Sequence, residues 1–132
     1  MTSSRGGSAP PVLVADDDPE VRDFVCEILA GAGFATATAS DGDEVAEEAR
    51  RVAPSLIILD VMMPRMDGYT TLTRLRGHPG TRDIPVIVLT GQVEPLYRTL
   101  SAGVGAVAHL TKPFSPEQLT QTVRRVLAEA RR

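Results

Sequence analysis

The sequence predicts an α/β fold, doubly wound, with a central five-stranded parallel sheet assembled from (βα)5 units. Three observations carry that expectation. Apolar, β-branched runs recur at Val12-Leu13-Val14, Leu56-Ile57-Ile58-Leu59, Val86-Ile87-Val88-Leu89 and Ala106-Val107-Ala108. These runs are continuous rather than alternating, which marks strands covered on both faces. Between them lie segments with apolar residues at helical spacing and legible start and stop signals.

The elements follow in order. After the first strand, Asp18 can cap a helix with Pro19 at its first position, where the missing N–H is harmless. Val21, Phe24, Val25, Ile28, Leu29 and Ala32 then repeat on one side until Gly33. The alternating stretch Phe34-Ala35-Thr36-Ala37-Thr38 fits a strand nearer an edge. Ser40 or Asp41 opens a second helix whose apolar side is Val45, Ala49 and Val52, stopped by Pro54. Asp67-Gly68 precedes a third helix, which carries Tyr69, Leu72 and Leu75 and ends near Gly77. A fourth carries Val93, Leu96, Tyr97 and Leu100, with Pro95 tolerable only in its first turn. The last is the clearest: Ser115-Pro116-Glu117-Gln118 reads as a capping box, followed by a buried stripe of Leu119, Val123, Val126, Leu127 and Ala130.

Bulk properties narrow the class. A chain of 132 residues is long enough for one self-supporting core. Residues 1–10 read as a flexible N-terminal leader of small and polar residues, and residues 11–132 as the domain. A net charge of -3, with scattered basic residues, argues against a nucleic-acid-binding surface. No apolar stretch approaches the roughly 20 residues that span a bilayer, nor does the leader resemble a signal peptide. Cys26 is the single cysteine; it excludes an internal disulfide, fits a reducing compartment and reads as a small core residue. A cytoplasmic protein is the expectation.

The chemistry gathers at strand ends. Asp16-Asp17 follows the first apolar run and Asp60 the second, so a parallel sheet brings the three carboxylates to one edge. At roughly 4 Å, two like charges repel by about 4 kcal/mol at an effective dielectric near 20. A hard divalent cation is the usual remedy, and Mg2+ accepts one or two carboxylates plus phosphate oxygens. Thr90 ends the third run, and Lys112-Pro113 follows the fourth. Ligands of doubly wound sheets bind outside the carboxyl ends of the strands, at the topological switch point. Hydroxyl, ammonium and carboxylates there make a site for moving or holding a phosphoryl group.

These residues also carry a family resemblance. Val14-Ala15-Asp16-Asp17-Asp18, Leu59-Asp60-Val61-Met62-Met63-Pro64-Arg65-Met66-Asp67-Gly68, Val88-Leu89-Thr90-Gly91 and Leu110-Thr111-Lys112-Pro113-Phe114 resemble the receiver domain of bacterial two-component response regulators. The likeness runs in order from about Pro11 to Leu127. It implies a flavodoxin-like fold and a phosphorylation-controlled switch rather than an enzyme in the usual sense, self-catalysed phosphorylation and dephosphorylation apart. Asp60 matches the phosphoacceptor, served by a sensor histidine kinase or phosphotransfer protein. Asp17, Asp60 and the Met62 backbone carbonyl would ligate Mg2+, with Asp16 helping, often through water. Thr90 would bond one phosphoryl oxygen and Lys112 would pair with another. The peptide bond before Pro113 matches one that is usually cis. Thr90 and His109 match the switch positions, through which the fourth helix, fifth strand and fifth helix would alter their surface toward a downstream output domain or protein partner. Val107-Ala108 before His109 makes that face more apolar than usual, which favours a protein there. Met62 and Gln92, two residues beyond Asp60 and Thr90, are placed to flank an attacking water.

Plainer readings stand beside these. Taken singly, Asp16-Asp17-Asp18 is a solvated turn with a cap, Thr90 a strand cap, Lys112 a surface lysine and His109 a partly buried ring. Asp67 reads as a turn residue and His78 as loop surface. An aspartate-nucleophile phosphatase wants a second acid two residues after its nucleophile, where this chain has Met62. A flavodoxin-like cofactor binder wants a first loop rich in Ser, Thr and Gly, where this chain has three acids. The alternative of a phosphorylation-independent receiver-like interaction module predicts loss of an acid, the hydroxyl or the lysine, and all are present.

Overall fold

A computed structural model of the chain describes residues 9–60, 62–63, 66–90 and 106–130, with Met62, Met63, Met66, Asp67, Tyr69 and Thr90 described by backbone alone. The strands are β1 (Val12–Ala15), β2 (Thr36–Ala39), β3 (Leu56–Asp60), β4 (Met62–Met63), β5 (Met66–Asp67), β6 (Val86–Thr90) and β7 (Ala106–Thr111). The helices are α1 (Pro19–Gly31), α2 (Gly42–Val52), α3 (Gly68–Arg76) and a last helix, Pro116–Ala130. Five strands form a parallel sheet in the order β2-β1-β3-β6-β7, while β4 and β5 make a two-residue antiparallel ladder. Chain order reverses direction between β1 and β3, so the switch point falls there. The predicted doubly wound fold is the observed one. The helix expected around Val93 to Leu100 lies outside the described residues.

Alternation of side chains along each strand divides the core in two. Leu13, Ala15, Ile57, Leu59, Val86 and Val88 pack on Val45 and Ala49 of α2 and Leu72 and Leu75 of α3. Val12, Val14, Leu56, Ile58, Ile87 and Leu89 pack on Val25 and Leu29 of α1 and Leu119, Val123 and Val126 of the last helix. This two-sided burial is why β1, β3 and β6 read as unbroken apolar runs; in β7 the expectation fails, since Val107 is 56% exposed. Each fully buried Leu or Ile contributes about 2 to 3 kcal/mol of transfer free energy.

Local chemistry sets the helix boundaries. Asp18 caps α1, its carboxylate accepting from the Glu20 amide at 2.9 Å. Asp41 rather than Ser40 caps α2, accepting from the Glu44 amide at 2.8 Å, while Glu44 reaches back to the Ser40 amide at 2.6 Å. The helix stops at Ala53, which turns left-handed at φ 47° just before Pro54. The capping box of the last helix closes reciprocally: Ser115 Oγ accepts from the Gln118 amide at 3.1 Å and Gln118 Oε1 from the Ser115 amide at 2.8 Å.

Three expectations need correction. Phe24 is 47% exposed, on the flank of α1, and its ring meets that of Phe114 at a centroid distance of 6.4 Å instead of entering the core. The edge strand begins at Thr36 rather than Phe34, because the Phe34 amide is still bonded to the Leu29 carbonyl at 2.9 Å, in the turn that ends α1. In the last helix Ala130 is exposed, and the buried face takes Thr122 instead. The Thr122 hydroxyl is tolerated there because it donates to the Gln118 carbonyl at 2.8 Å.

Candidate phosphoryl-transfer site

Register places the site. Ala15 pairs with Leu59, so the next residues, Asp16 and Asp60, leave β1 and β3 side by side at the carboxyl rim. Asp60 pairs with Leu89, and Thr90 with Thr111, so Thr90 and Lys112 stand one step further along that rim. Four residues from four strands thus converge by parallel register alone.

Their environments differ. Asp16 and Asp60 are each only 1% exposed. The Lys112 ammonium is in direct ion-paired contact with Asp60 Oδ2, the lysine side chain being 28% exposed and the aspartate 2%. Asp16 Oδ1 accepts from the Asp18 amide at 2.9 Å, but its Oδ2 is buried with no hydrogen-bond partner among the described residues. Burial pushes the Asp16 carboxyl up to about 7, the neighbouring Asp60 adding to the rise while the Asp18 amide and Lys112 oppose it. Asp17 is half-buried in the bend that follows β1. Among the described residues no three acidic, histidine or cysteine side chains are grouped closely enough to hold a metal ion as they stand, while Asp16 and Asp60 are direct neighbours. Register aligns Asp16 with Asp60, and Asp17 follows one residue later, where the chain turns into α1.

The remaining expected residues divide. His109 lies within β7, opposite Val88, and is half-buried. Thr90 closes β6, and Met62 begins the short ladder directly beyond β3, both described by backbone only. The Lys112-Pro113 bond is cis. Gln92 lies outside the described residues. Cys26 is half-buried against the α1 side of the core, and burial pushes its thiol up, in keeping with a packing role. Sequence reasoning missed Arg22, whose Nη1 donates to the Asp16 backbone carbonyl at 3.0 Å. A charged residue on an otherwise solvated helix flank carries no one-dimensional signal of that contact.

The architecture is an α/β module, a parallel sheet with paired acids at its switch point and a lysine on one of them. The family model for the response regulator receiver domain matches residues 12–124. The chain belongs to that family and serves in two-component signalling. It is 40% identical over 120 residues to the DNA-binding dual master transcriptional regulator RpaA of Synechocystis, covering 89% of this chain and 49% of that protein. A putative response regulator from Chloroflexus aurantiacus superposes with a TM-score of 0.85 at 34% identity, covering 92% of this chain and 99% of the other. The chemotaxis protein CheY4 of Vibrio cholerae gives 0.85 at 34%, covering 90% and 99%. The chain spans about half the length of the curated relatives it matches. No described helix is long and apolar enough to cross a membrane.

Proposed function

We propose that Asp60 accepts a phosphoryl group from the phosphohistidine of a sensor histidine kinase or phosphotransfer protein, and that the modified domain switches a downstream partner. The observation that carries this reading is the buried Asp60 carboxylate in contact with Lys112 and beside the unpartnered Oδ2 of Asp16. An Asp60 oxygen attacks phosphorus, the phosphorus–nitrogen bond to the donor breaks, and the electron pair leaves with the imidazole. Such transfer needs positioning and charge stabilisation more than an elaborate base. Lys112 then trades its contact with Asp60 for a phosphoryl oxygen, and the Thr90 hydroxyl donates to another. Thr90 moving toward the new group opens room for the His109 ring, altering the face that includes β7 and the last helix. A bias of about 1 to 3 kcal/mol suffices for such coupling.

The donor set fits a hard divalent cation: oxygens only, two of the acids buried together, one oxygen lacking a hydrogen-bond partner among the described residues. Asp17, Asp60 and the Met62 carbonyl would hold Mg2+, and Asp16 would reach it through water. When bound, Mg2+ supplies charge neutralisation for the carboxylates and for the phosphoryl oxygens. The upstream donor, the output partner and a cytoplasmic location all follow from this reading, and nothing in it requires this chain to contact nucleic acid or membrane directly.

Incubation with a small-molecule phosphodonor and Mg2+, followed by intact-mass measurement, tests it. Wild type should gain one phosphoryl mass and Asp60→Asn none. Failure of wild type to gain mass with any donor would favour a phosphorylation-independent interaction module.

A further inference from the structure

The loop carrying the acid pair is held by a cation that the phosphoryl-transfer scheme above leaves without a role. The Asp16 amide donates to the Ala39 carbonyl at 3.1 Å, the Asp18 amide to Asp16 Oδ1 at 2.9 Å, and the Arg22 amide to the Asp18 carbonyl at 3.0 Å. These bonds fix both ends of the turn. The peptide unit joining Asp16 to Asp17 is fixed by the side chain of Arg22, whose Nη1 donates to the Asp16 carbonyl at 3.0 Å. A peptide unit is planar, so anchoring its oxygen also orients the nitrogen from which Asp17 continues. Arg22 is half-buried, and its rigid guanidinium fork loses little freedom on making this bond.

The geometry points to Arg22 as a positioning residue for divalent-cation binding: by clamping the Asp16–Asp17 peptide it presets the direction of the Asp17 carboxylate. The inference rests on the phosphoacceptor reading. It makes a prediction opposite in sign to simple electrostatics. A fixed guanidinium near the site repels Mg2+, so on charge alone its removal would tighten cation binding. If the clamp matters more, removal weakens binding, because outer-sphere partners that orient ligands are worth about tenfold or more in metal affinity.

Calorimetric titration of Mg2+ into wild type, Arg22→Ala and Arg22→Lys, each first shown by thermal melting to be folded, separates the two. Arg22→Ala should bind Mg2+ about tenfold more weakly than wild type, and Arg22→Lys, which keeps a donor on a long stem, should recover most of that loss. In metal-free protein the Asp18 amide should exchange faster in Arg22→Ala than in wild type. Equal or tighter Mg2+ binding by Arg22→Ala overturns the inference, as does a loss that lysine does not rescue. Absence of Mg2+ binding by wild type itself is a different result: it removes the phosphoacceptor reading on which the inference stands.

Discussion

Buried polar groups sit at both rims of the sheet, and they are built on opposite terms. At the rim where β6 begins, the Thr81 hydroxyl donates to the Leu75 carbonyl at 2.6 Å, and Arg76 Nη1 reaches the carbonyls of Arg82 and Ile84 at 2.9 and 2.8 Å. Neutral acceptors close around one cation and lock the turn between α3 and β6. At the rim where β1 and β3 end, two carboxylates are buried together, and one oxygen has no hydrogen-bond partner among the described residues. The first arrangement pairs its polar groups within the chain; the second has, among the described residues, an acceptor left over. Buried polar atoms are almost always paired, so an orphan acceptor sets the second rim apart from the first.

The comparison can be broken most forcefully at Lys112. Lys112→Ala leaves Asp60 buried beside Asp16 without its cation, a loss on the order of 3 kcal/mol in chelator. Saturating Mg2+ should restore much of it, and urea unfolding with and without the ion measures both. Equal losses in the two conditions would show that the rim does not depend on added charge.

Asp16→Asn probes the same rim with the opposite sign. The folded-state value of about 7 lies above the ordinary 3.8, so the acid favours folding below about pH 4 and loses that contribution as pH rises through 7. In chelator at pH 8 the asparagine variant should therefore be more stable by up to about 4 kcal/mol, and the gain should vanish near pH 4. Denaturation midpoints across that range check it. A constant gain would mean the carboxyl does not titrate as its burial requires.

The opposite rim should behave as ordinary structure. Thr81→Val removes the shorter of two hydrogen bonds to the Leu75 carbonyl, leaving the one from the His78 amide at 3.5 Å, and should cost about 1 kcal/mol at any pH, with or without Mg2+. Phosphoryl uptake by the folded variant should match wild type. Any change in Mg2+ affinity would contradict the division between the rims.

Much of this was legible in one dimension. Five strands, the caps at Asp18 and Asp41, the box at Ser115 and Gln118 and the strand-end positions of Asp16, Asp60, Thr90 and Lys112 follow from local patterns. Failures came where a residue's fate depended on what stands opposite. Phe24 keeps helical spacing yet meets Phe114 at the surface, and Ala130 keeps it yet finds no cover. Asp16 and Asp17 look equivalent as letters, but Asp16 is buried and Asp17 half-buried in the bend.

By itself, then, the sequence determined the alternation of elements, the caps of their helices and which chemical groups leave the strands at the shared rim, because periodicity and capping are local properties. Only the tertiary structure decided that Lys112 is placed on Asp60, that one Asp16 oxygen has no hydrogen-bond partner among the described residues, and that Arg22 holds the turn between the acids. Those facts depend on distances between segments far apart along the chain, or on the angle at which a helix leaves a strand, and packing alone sets them.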